Sequence, residues 1–580
     1  MSVPGRARRW QVGAVEPAAA PLAGALGVPL LLAHLLCRRG CGTPQAARAF
    51  LEASLEALED PAAMAGMDAA VARLRAAVAG REPILVCGDF DADGVSGTAL
   101  LVGALRHLGA SVRYALPLRL EHGYGLPVAI VEEAAGSGIR LLLAVDHGVT
   151  AEAALRRARD LGLDVVVCDH HLPPAVLPPA TAVLNPRRSD CPYPFKELCG
   201  AGIAFKLVQA LAGAGEAKAL QPLLDLVALG TIADLVPLLG ENRLLVRHGL
   251  PVLAATERPG LRALAAVAGV PLENVRPGHV GFALAPRLNA AGRLDDATAA
   301  VRLLLTEDPA EAEALAQALD RQNRERQALE AAMLEAALRD LERTHDLARD
   351  HAIVLASPAW HPGVLGIVAA RLVERFGRPT ALIALEGERG RGSARSAAGW
   401  HVTQALARCG DLLLHYGGHR AAAGFSLAAD GVGAFRARFL ALAARELSPE
   451  DLMPVLCAEA EVGLHELSLG LAAELARLAP HGVDNPEPVL VARRLQVMRF
   501  PRVVGRNHLK CRLRQTLAGP VVDAIGFGLG AWLPVLDQAD PPRVDVAFVP
   551  ERNVWNEREV LQLRMKDVKL SEEPDCPGAA

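Results

Sequence analysis

Three aspartates alternate with other residues in the stretch Gly-Asp-Phe-Asp-Ala-Asp-Gly at 88–94. An apolar run at 84–86 leads into this stretch, a pattern typical of a buried parallel strand that ends in a turn. Carboxylates crowded at one strand end repel each other. Asp89, Asp91 and Asp93 therefore indicate a cation that neutralises them, since at most one of the three can be the N-cap of a following helix.

Further apolar runs also end in aspartate or histidine residues. Residues 141–145 lead into Asp146, and residues 165–167 lead into the string Asp-His-His at 169–171. Asp234 also follows an apolar stretch. In an open α/β sheet, ligands bind in the crevice outside the carboxyl ends of the strands. Oxygen ligands mixed with imidazole suit Mn²⁺ or Mg²⁺, so these strings predict a divalent-metal hydrolase site.

Length and composition indicate a large enzyme of several domains. With 580 residues, of which 51% are hydrophobic, the chain has room for three or four domains with sizeable cores. None of its apolar runs reaches the roughly 18 residues of a membrane span, so we expect no membrane partner. The ten cysteines are scattered and form no zinc pattern, which we interpret as reduced thiols of a cytoplasmic protein. Because the net charge is −4, any nucleic-acid surface must be local.

The chain is predicted to be an α/β protein with three folded parts. Apolar strands alternate with helical segments from about 76 to 250, as in a doubly wound parallel sheet, and a helical stretch runs on to about 305. A second, smaller α/β unit is expected at about 350–447. The remainder, about 450–570, shows short strand patterns with turn residues at close intervals, which indicates a small β-barrel.

One long helix is predicted between the two α/β units, from Asp308 to about Asp346. Asp308 suits the N-cap, Pro309 suits the first helical position, and Glu311 would complete a capping box. The segment 320–326 is charged on all sides, so we expect this part of the helix to bridge domains through solvent.

These strings resemble, in content and order, the motifs of the RecJ exonucleases, a family of the DHH phosphoesterase superfamily named for its Asp-His-His string. A lone Asp-His-His string would be weak evidence, whereas an ordered series of blocks is specific. The blocks that carry the resemblance are GDFDADGVSGTALL (88–101), RLEHGYGL (119–126), DHG (146–148), CDHHLP (168–173), GTIADLVPL (230–238), PRLNAAGRL (286–294), HPGVLGIVAARL (361–372), GSARS (392–396) and GGHRAAAGF (417–425).

The resemblance implies a domain order. The expected parts are an N-terminal helical extension (1–75), a DHH catalytic domain (76–305), a linker helix (306–349), a DHH-associated α/β domain (350–447), an OB-like nucleic-acid-binding domain (448–570) and a disordered tail (571–580).

The resemblance also implies a two-metal site. Its implied ligands are Asp91, Asp93, Asp146, His170 and Asp234, with Asp146 bridging the two ions. For Asp89 two roles stay open, that of a further ligand and that of a partner of a ligand. Two ions can share and activate a water for in-line attack on a phosphodiester, so we expect direct hydrolysis without a covalent intermediate.

Two further residues of the Asp-His-His string have expected catalytic roles. Asp169 is expected to support His170, as carboxylates commonly do for metal-bound imidazoles. His171 either lies by the scissile phosphate, where it donates to a phosphoryl oxygen or steers the leaving group, or orients its neighbour.

A set of polar residues outside the metal ligands is expected to hold the phosphates of the substrate. Guanidinium groups suit this task because they bind phosphate oxygens in a bidentate manner. By resemblance, Arg119, Arg293, Ser393 and Arg395 bind the 5′-terminal phosphate and the adjacent backbone. Asn289, His361, Gly418 and His419 are expected to line the cleft between the two α/β lobes; for the glycine pair 417–418 a simple tight turn is an equal alternative.

A basic segment lies in the C-terminal part. Residues 491–514 contain eight Arg or Lys residues and no acidic residue, with Phe500 and His508 among them. Short basic strands with stacking rings are how OB folds hold single strands without reading sequence, although an exposed basic hairpin has the same pattern. The expected nucleic-acid track is Arg499, Arg506, Lys510, Arg512 and Arg514.

Three functions remain to be distinguished at this point. The first is a 5′→3′ exonuclease that releases 5′-mononucleotides from 5′-phosphorylated single-stranded DNA in recombination and repair. The second is a phosphodiesterase for short oligonucleotides or cyclic dinucleotides, and the third is an inactive DNA-binding scaffold. The resemblance favours the first, and it implies single-strand-binding protein and a helicase as partners of a monomeric enzyme.

Overall fold

The structure is a computed structural model that describes residues 8–118, 125–213, 217–294, 296–555 and 558–572. Most of the predicted C-terminal tail lies outside these ranges. The chain divides into two compact units. The larger unit comprises residues 54–452 and 482–484, and the smaller unit comprises the described parts of 1–53, 453–481 and 485–580.

Five parallel strands form the first sheet of the larger unit. Their order across the sheet is Val112–Ala115, Ile84–Gly88, Leu141–Val145, Asp164–Cys168 and Ala182–Leu184. Alternate side chains enter two separate cores, with Val86 and Leu143 on one face and Leu85 and Leu142 on the other. Because both faces are covered, the strands are apolar throughout their length. The predicted doubly wound parallel sheet is confirmed.

The strand order creates a ligand crevice. Within this sheet, the strand that comes first in the chain, Ile84–Gly88, has the second, Val112–Ala115, on one side and the third, Leu141–Val145, on the other. At such a reversal of strand order, the crevice outside the carboxyl ends of the strands is open to a ligand. Asp89 and Asp146 are the residues that directly follow these two strands.

Helices cover this sheet and continue beyond it to residue 305. A short π-helix, Val280–Leu284, precedes the helix that contains the LNAAGR string. The principal helices are Met67–Ala79, Ala92–His107, Val128–Gly136, Glu152–Asp160, Gly200–Ala212, Leu224–Ala233, Gly240–Ala254, Pro259–Ala268, Ala285–Leu294 and Thr298–Leu305.

The predicted long helix spans Pro309–Thr344. Asp308 is its N-cap, since its carboxylate accepts a 2.9 Å hydrogen bond from the backbone of Ala310. The predicted capping box was wrong, because the Glu311 carboxylate accepts hydrogen bonds from Thr306 and Arg302 and is turned away from the N-cap backbone.

The middle of the long helix is not solvated on all sides, so this prediction was also wrong. Asp320 and Glu330 are buried. Asp320 accepts a 2.9 Å hydrogen bond from Arg287, and Glu330 pairs with Arg326 at 3.0 Å and with Arg371 at 2.5 Å. The charged side chains are thus neutralised by arginines of the helix itself and of the helices before and after it.

The second α/β part of the larger unit is a mixed five-stranded sheet. In order across the sheet, its strands are His415–Gly418, Ala422–Ala428, Arg389–Arg395, Thr380–Glu386 and Ile353–Ser357. Only the last two strands pair in parallel. The helices Leu365–Phe376 and Val432–Glu446 contribute to separate cores on this sheet, the first with Leu382 and the second with Ile383.

The smaller unit contains a sheet that closes on itself. Leu490–Val497 pairs with Val544–Trp555 on one side and with His508–Arg514 on the other. The circuit is completed by Arg558–Leu570 and Val521–Gly526. The predicted C-terminal β-barrel is confirmed.

The first 75 residues, predicted as a single helical extension, are divided between the two units. Strand Arg9–Val12 pairs in parallel with Val455–Ala458 beside the barrel. The helices Ala19–Leu26, Leu30–Arg38 and Pro44–Glu52 also belong to the smaller unit, whereas residues from Ser54 onward belong to the larger one.

The N-terminal helices complete the barrel core. Leu32 and Leu36 are fully buried in one cluster with Leu490 and Phe548 of the barrel strands. Among the described residues, no single helix has both the length and the apolar character needed to cross a membrane.

We expect Leu32→Ala to lower the free energy of unfolding of the smaller unit by about 2–5 kcal/mol, because it opens a cavity in a shared core. Leu30→Ala is the matched control, since Leu30 is 57% exposed in the same helix; its effect should stay within about 0.5 kcal/mol. Hydrogen exchange of barrel peptides covering Leu490–Val497 measures both effects. Equal exchange in Leu32→Ala and wild type would mean that the helix does not support the barrel.

Candidate active site

The aspartate turn, defined here as residues 89–93, joins the first strand to the helix Ala92–His107. Asp91 is the N-cap of this helix, and its Oδ1 accepts hydrogen bonds from the backbone of Asp93 at 3.0 Å and of Gly94 at 3.1 Å. Asp89 is buried at the strand end. Only one of the three aspartates is therefore explained as a helix cap.

Asp93 is held by the start of another helix. Its two carboxylate oxygens accept hydrogen bonds from the backbone of Gly200 at 2.6 Å and of Ala201 at 2.9 Å, where the helix Gly200–Ala212 begins. Burial, together with the charge of Asp91, raises the pKa of Asp93 to about 6. Only glycine fits at position 200, because a β-carbon there would lie 2.7 Å from Cβ of Asp146.

Asp146 and Asp234 face the aspartate turn from two other elements. Asp146 follows the strand Leu141–Val145 with a φ of +64°, a conformation that residues other than glycine seldom adopt. Asp234 ends the helix Leu224–Ala233. Burial and then the charge of Asp93 raise the pKa of both carboxyl groups well above the usual range.

His170 lies between these two carboxylates. Its Nε2 is 3.1 Å from Oδ1 of Asp146 and 3.5 Å from Oδ2 of Asp234. Burial and the neighbouring His171 lower the pKa of His170 to about 3, so the imidazole is neutral and its nitrogen has a lone pair. Among the described residues, neither Nε2 of His170 nor Oδ2 of Asp234 finds a hydrogen-bond partner.

Asp169 supports His171, so the prediction that it supports His170 was wrong. Oδ1 of Asp169 lies 2.7 Å from Nδ1 of His171 and also accepts a hydrogen bond from the His171 backbone at 3.0 Å. Although burial opposes it, the contact with His171 lowers the pKa of Asp169 to about 2. The same contact outweighs burial at His171 and raises its pKa. The reason is geometric, because the ring of His170 is turned toward Asp146 and Asp234.

These side chains form groups that fit divalent metal ions. Within each of three groups the possible ligand atoms lie within 4.8 Å of one another: Asp89 with Asp91 and Asp146, Asp93 with His170 and Asp234, and Asp146 with His170 and His171. Asp146 and His170 each belong to two groups. Carboxylate oxygens combined with the neutral imidazole of His170 are a donor set that suits Mn²⁺ and Mg²⁺. The structure thus brings all six predicted ligands together.

The helix Ala285–Leu294 reaches the aspartate turn. Oδ1 of Asn289 accepts a 2.7 Å hydrogen bond from the backbone of Ala92, and Nη1 of Arg293 donates to the carbonyl of Gly363 at 3.4 Å. A β-carbon at Gly292 would overlap the carbonyl oxygen of Phe90. Glycine at 292 thus lets the helix approach the aspartate turn.

The remaining predicted phosphate-binding residues lie on the second α/β part. His361 caps a short helical turn, since its Nδ1 accepts a hydrogen bond from the backbone of Gly363 at 3.1 Å. Arg395 donates to Oγ of Ser393 at 2.9 Å, and a β-carbon on Gly366 would overlap the Arg395 guanidinium. This places Ser393 and Arg395 at the start of the helix Leu365–Phe376.

The glycine pair ends an edge strand. Gly418 closes the strand His415–Gly418 with a φ of +141°, and His419 after it is exposed. His419 contributes electrostatically, after burial and His171, to lowering the pKa of His170, so His419 lies within electrostatic reach of the carboxylate–imidazole cluster. Arg119 lies outside the described residues.

Two residues of the site were not predicted. Asn185 is fully buried and donates a 2.8 Å hydrogen bond to the carbonyl of His171. Arg187 acts on Asp234 electrostatically and opposes the rise of its pKa that burial causes. Both follow the strand Ala182–Leu184 in the string Asn-Pro-Arg, so the strand-end rule applied to one more strand would have found them.

The barrel presents a basic face. Side chains alternate along the strand His508–Arg514, so that Leu509, Cys511 and Leu513 are buried and Arg512 is exposed. Arg499 and Arg506 are exposed nearby in sequence, and Lys510 and Arg514 are half-buried. Arg514 also donates to Oε1 of Gln496 at 2.9 Å.

Aromatic rings accompany this basic face. Phe500 is 82% exposed and Phe527 is 57% exposed. The rings of Phe527 and His508 lie 5.0 Å apart in an edge-to-face arrangement. Phe527 was not predicted, because it is distant in sequence from the basic segment and only the strand pairing brings it there.

Three domain models match the chain. They are the DHH family N-terminal domain at residues 83–231, the DHHA1 domain at 350–445 and the RecJ OB domain at 458–567.

Complete proteins and solved structures match over most of the chain. The chain is 39% identical to the single-stranded-DNA-specific exonuclease RecJ of Bacillus subtilis, over 94% of this chain and 69% of that protein. It is 40% identical to the protein of the same name from Dickeya dadantii, over 92% and 95% of the two chains. Its fold is similar to the crystal structure of RecJ in complex with Mn²⁺ from Thermus thermophilus, with a TM-score of 0.81 and 36% identity over 97% and 80% of the chains.

We expect Gly292→Ala to weaken the binding of Mn²⁺ by about 10- to 100-fold, the range typical when support of a ligand is lost, because the added methyl group displaces the aspartate turn. Gly103→Ala is the control, since a β-carbon at Gly103 meets no atom within 4 Å. Calorimetric titration with Mn²⁺ measures both variants. Wild-type affinity in Gly292→Ala would show that the close approach does not shape the site.

Proposed function

Because the chain belongs to the RecJ family of single-stranded-DNA-specific exonucleases, we propose that it degrades single-stranded DNA from the 5′ end to 5′-mononucleotides with two Mn²⁺ or Mg²⁺ ions. The observation that carries this proposal is the buried cluster of carboxylates and imidazoles at the carboxyl edge of the parallel sheet. A non-catalytic scaffold has no need of such a costly cluster.

The side chains that would hold the ions are the predicted ones: Asp89, Asp91, Asp93, Asp146, His170 and Asp234. Bound there, two divalent ions supply an activated water and neutralise charge on the attacked phosphate. The chain itself contributes rigid placement, because Asp91 and Asp93 are hydrogen-bonded to backbone amides and Asp146 is set by its backbone conformation. His170 contributes a neutral imidazole.

His171 and Asp169 are proposed to handle the proton. His171 is 29% exposed in its side chain, whereas Asp169 behind it is buried. A carboxylate that holds Nδ1 keeps the imidazole oriented and favours its protonated form. The other ring nitrogen can then donate to a phosphoryl oxygen, or to the 3′-oxygen that leaves with the terminal nucleotide.

Arg395 and Ser393 are proposed to bind the 5′-terminal phosphate, together with Arg119 and Arg293. The position of Arg395 and Ser393 at the start of the helix Leu365–Phe376 supports this, because helix N-termini attract anions. Asn289, His361, Gly418 and His419 would line the path between this pocket and the metal-binding cluster. A pocket for a terminal phosphate accounts for both the 5′→3′ direction and the removal of one nucleotide at a time.

The barrel is proposed to guide the rest of the strand along Arg499, Arg506, Lys510, Arg512 and Arg514. Basic side chains with Phe500 and Phe527 among them can hold a backbone and stack bases irrespective of sequence. A short oligonucleotide needs no such track, which favours long strands as substrates. Membership of the family also supports a role in recombination and repair in the cytoplasm, with single-strand-binding protein and a helicase as partners of a monomer.

A product ladder with Mn²⁺ tests the function. The substrates are a 5′-phosphorylated strand labelled at its 3′ end, the same strand in a blunt duplex, and a dinucleotide. Wild-type protein should shorten only the single strand, progressively from the 5′ end, and Asp146→Ala should be inactive because it removes a ligand shared by two groups. Turnover of the dinucleotide alone, or undiminished activity in Asp146→Ala, would contradict the proposal.

We expect Arg395→Ala to lower kcat/KM for 5′-phosphorylated strands by roughly 10- to 100-fold, the equivalent of a lost charge-assisted hydrogen bond. Strands with a 5′-hydroxyl should be affected much less. Arg391→Ala is the matched control, because Arg391 is exposed on the same strand, Arg389–Arg395. An equal loss on both kinds of strand end would place the 5′-phosphate elsewhere.

A further inference from the structure

Two exposed apolar side chains lie on segments that adjoin elements of the carboxylate–imidazole cluster. Leu235 directly follows Asp234 and is 67% exposed, and Phe282 is 89% exposed. Phe282 precedes the helix Ala285–Leu294, which reaches the aspartate turn through Asn289. Single exposed apolar residues are ordinary on protein surfaces, so exposure alone assigns no role to either of them.

The backbone at both positions is unusual. Leu235 has a φ of +61°, in the left-handed region that bulky residues seldom adopt. Phe282 lies at the centre of the π-helix Val280–Leu284, a rare form that is frequent at functional sites. Strained backbone persists where the surrounding structure enforces it, and it is concentrated at active sites and ligand clamps. Leu235 is therefore on backbone of this strained kind, and Phe282 is on a helical form that is frequent at functional sites.

The two segments are neighbours in space. A β-carbon on Gly281 would lie 3.8 Å from Cγ2 of Ile232, on the helix that ends at Asp234. Toward the C-terminus, Phe282 and Asn289 are separated by about 10 Å along the helix axis. Phe282 is therefore on a segment that packs against the helix ending at Asp234 and that leads into the helix reaching the aspartate turn.

We propose that Phe282, flanked by Leu235, is the platform on which a nucleobase of the single strand stacks next to the scissile phosphate. The proposal rests on the exonuclease function. It adds a contact with a base, whereas the carboxylates and arginines are proposed to hold metal ions and phosphates. An unpaired base offers its π face to an aromatic ring irrespective of sequence. In a duplex these faces are occupied by neighbouring bases, so the platform favours an unpaired strand.

Steady-state kinetics on 5′-phosphorylated strands with a single abasic site, moved through the first six positions, tests the platform. With wild-type protein, the abasic site should raise KM at one or two positions only. Phe282→Ala should raise KM on the intact strand by roughly 5- to 150-fold, the range for one lost stacking contact, and should abolish the effect of the abasic site there. Phe282→Trp should retain wild-type behaviour, since it keeps an aromatic face.

Leu108→Ala is the control for loss of an exposed apolar group, because Leu108 is 47% exposed at the far end of the helix that starts at the aspartate turn. Its KM should equal that of wild type. A wild-type KM in Phe282→Ala, or an unchanged abasic effect in that variant, would overturn the platform while leaving the exonuclease function intact. Wild-type protein that cuts none of the strands would overturn the exonuclease function and the platform together.

Discussion

Mutual repulsion among buried carboxylates is the constraint on which the rest of the structure depends. Asp89, Asp93 and Asp146 are all nearly inaccessible, and two unit charges about 4 Å apart interact by roughly 4 kcal/mol at the effective dielectric constant of a protein. The fold offsets part of this repulsion with backbone amides, which donate to Asp91 and Asp93 where helices begin. Burial, and then the remaining repulsion, raise the pKa of Asp146, and the repulsion is relieved when cations bind.

Close packing around the cluster follows from the same constraint. Carboxylates on separate elements can share an ion only if those elements approach within the length of one short side chain. At Gly200 and Gly292 the approach is so close that a methyl group would collide with Asp146 or with Phe90. Small residues near the site are therefore needed for the metal-binding geometry, even though they carry no functional group of their own.

The long helix Pro309–Thr344 transmits this geometry to the second α/β part. Its Asp320 pairs with Arg287 of the helix that reaches the aspartate turn, and its Glu330 pairs with Arg371 of the helix whose start faces Arg395. These ion pairs involve buried carboxylates, so shifting the helix along either partner would leave a charge unpaired, at a cost of several kcal/mol. The distance between the cluster and Arg395 is thereby constrained within the larger unit.

The sequence by itself determined the strand ends and the order of the α/β parts and the barrel, because these depend on short apolar runs and on the residues that directly follow them. It also placed the candidate ligands at the ends of such runs, and the resemblance to the RecJ motifs selected them. Tertiary structure alone decided which side chains meet. Asp169 contacts His171 and not His170, Asn185 and Arg187 join the site, and Glu330 finds Arg371. Tertiary structure also decided that the helices before residue 54 complete the barrel core. Such contacts join segments far apart in the chain, so they depend on how whole elements pack, and no local pattern encodes that packing.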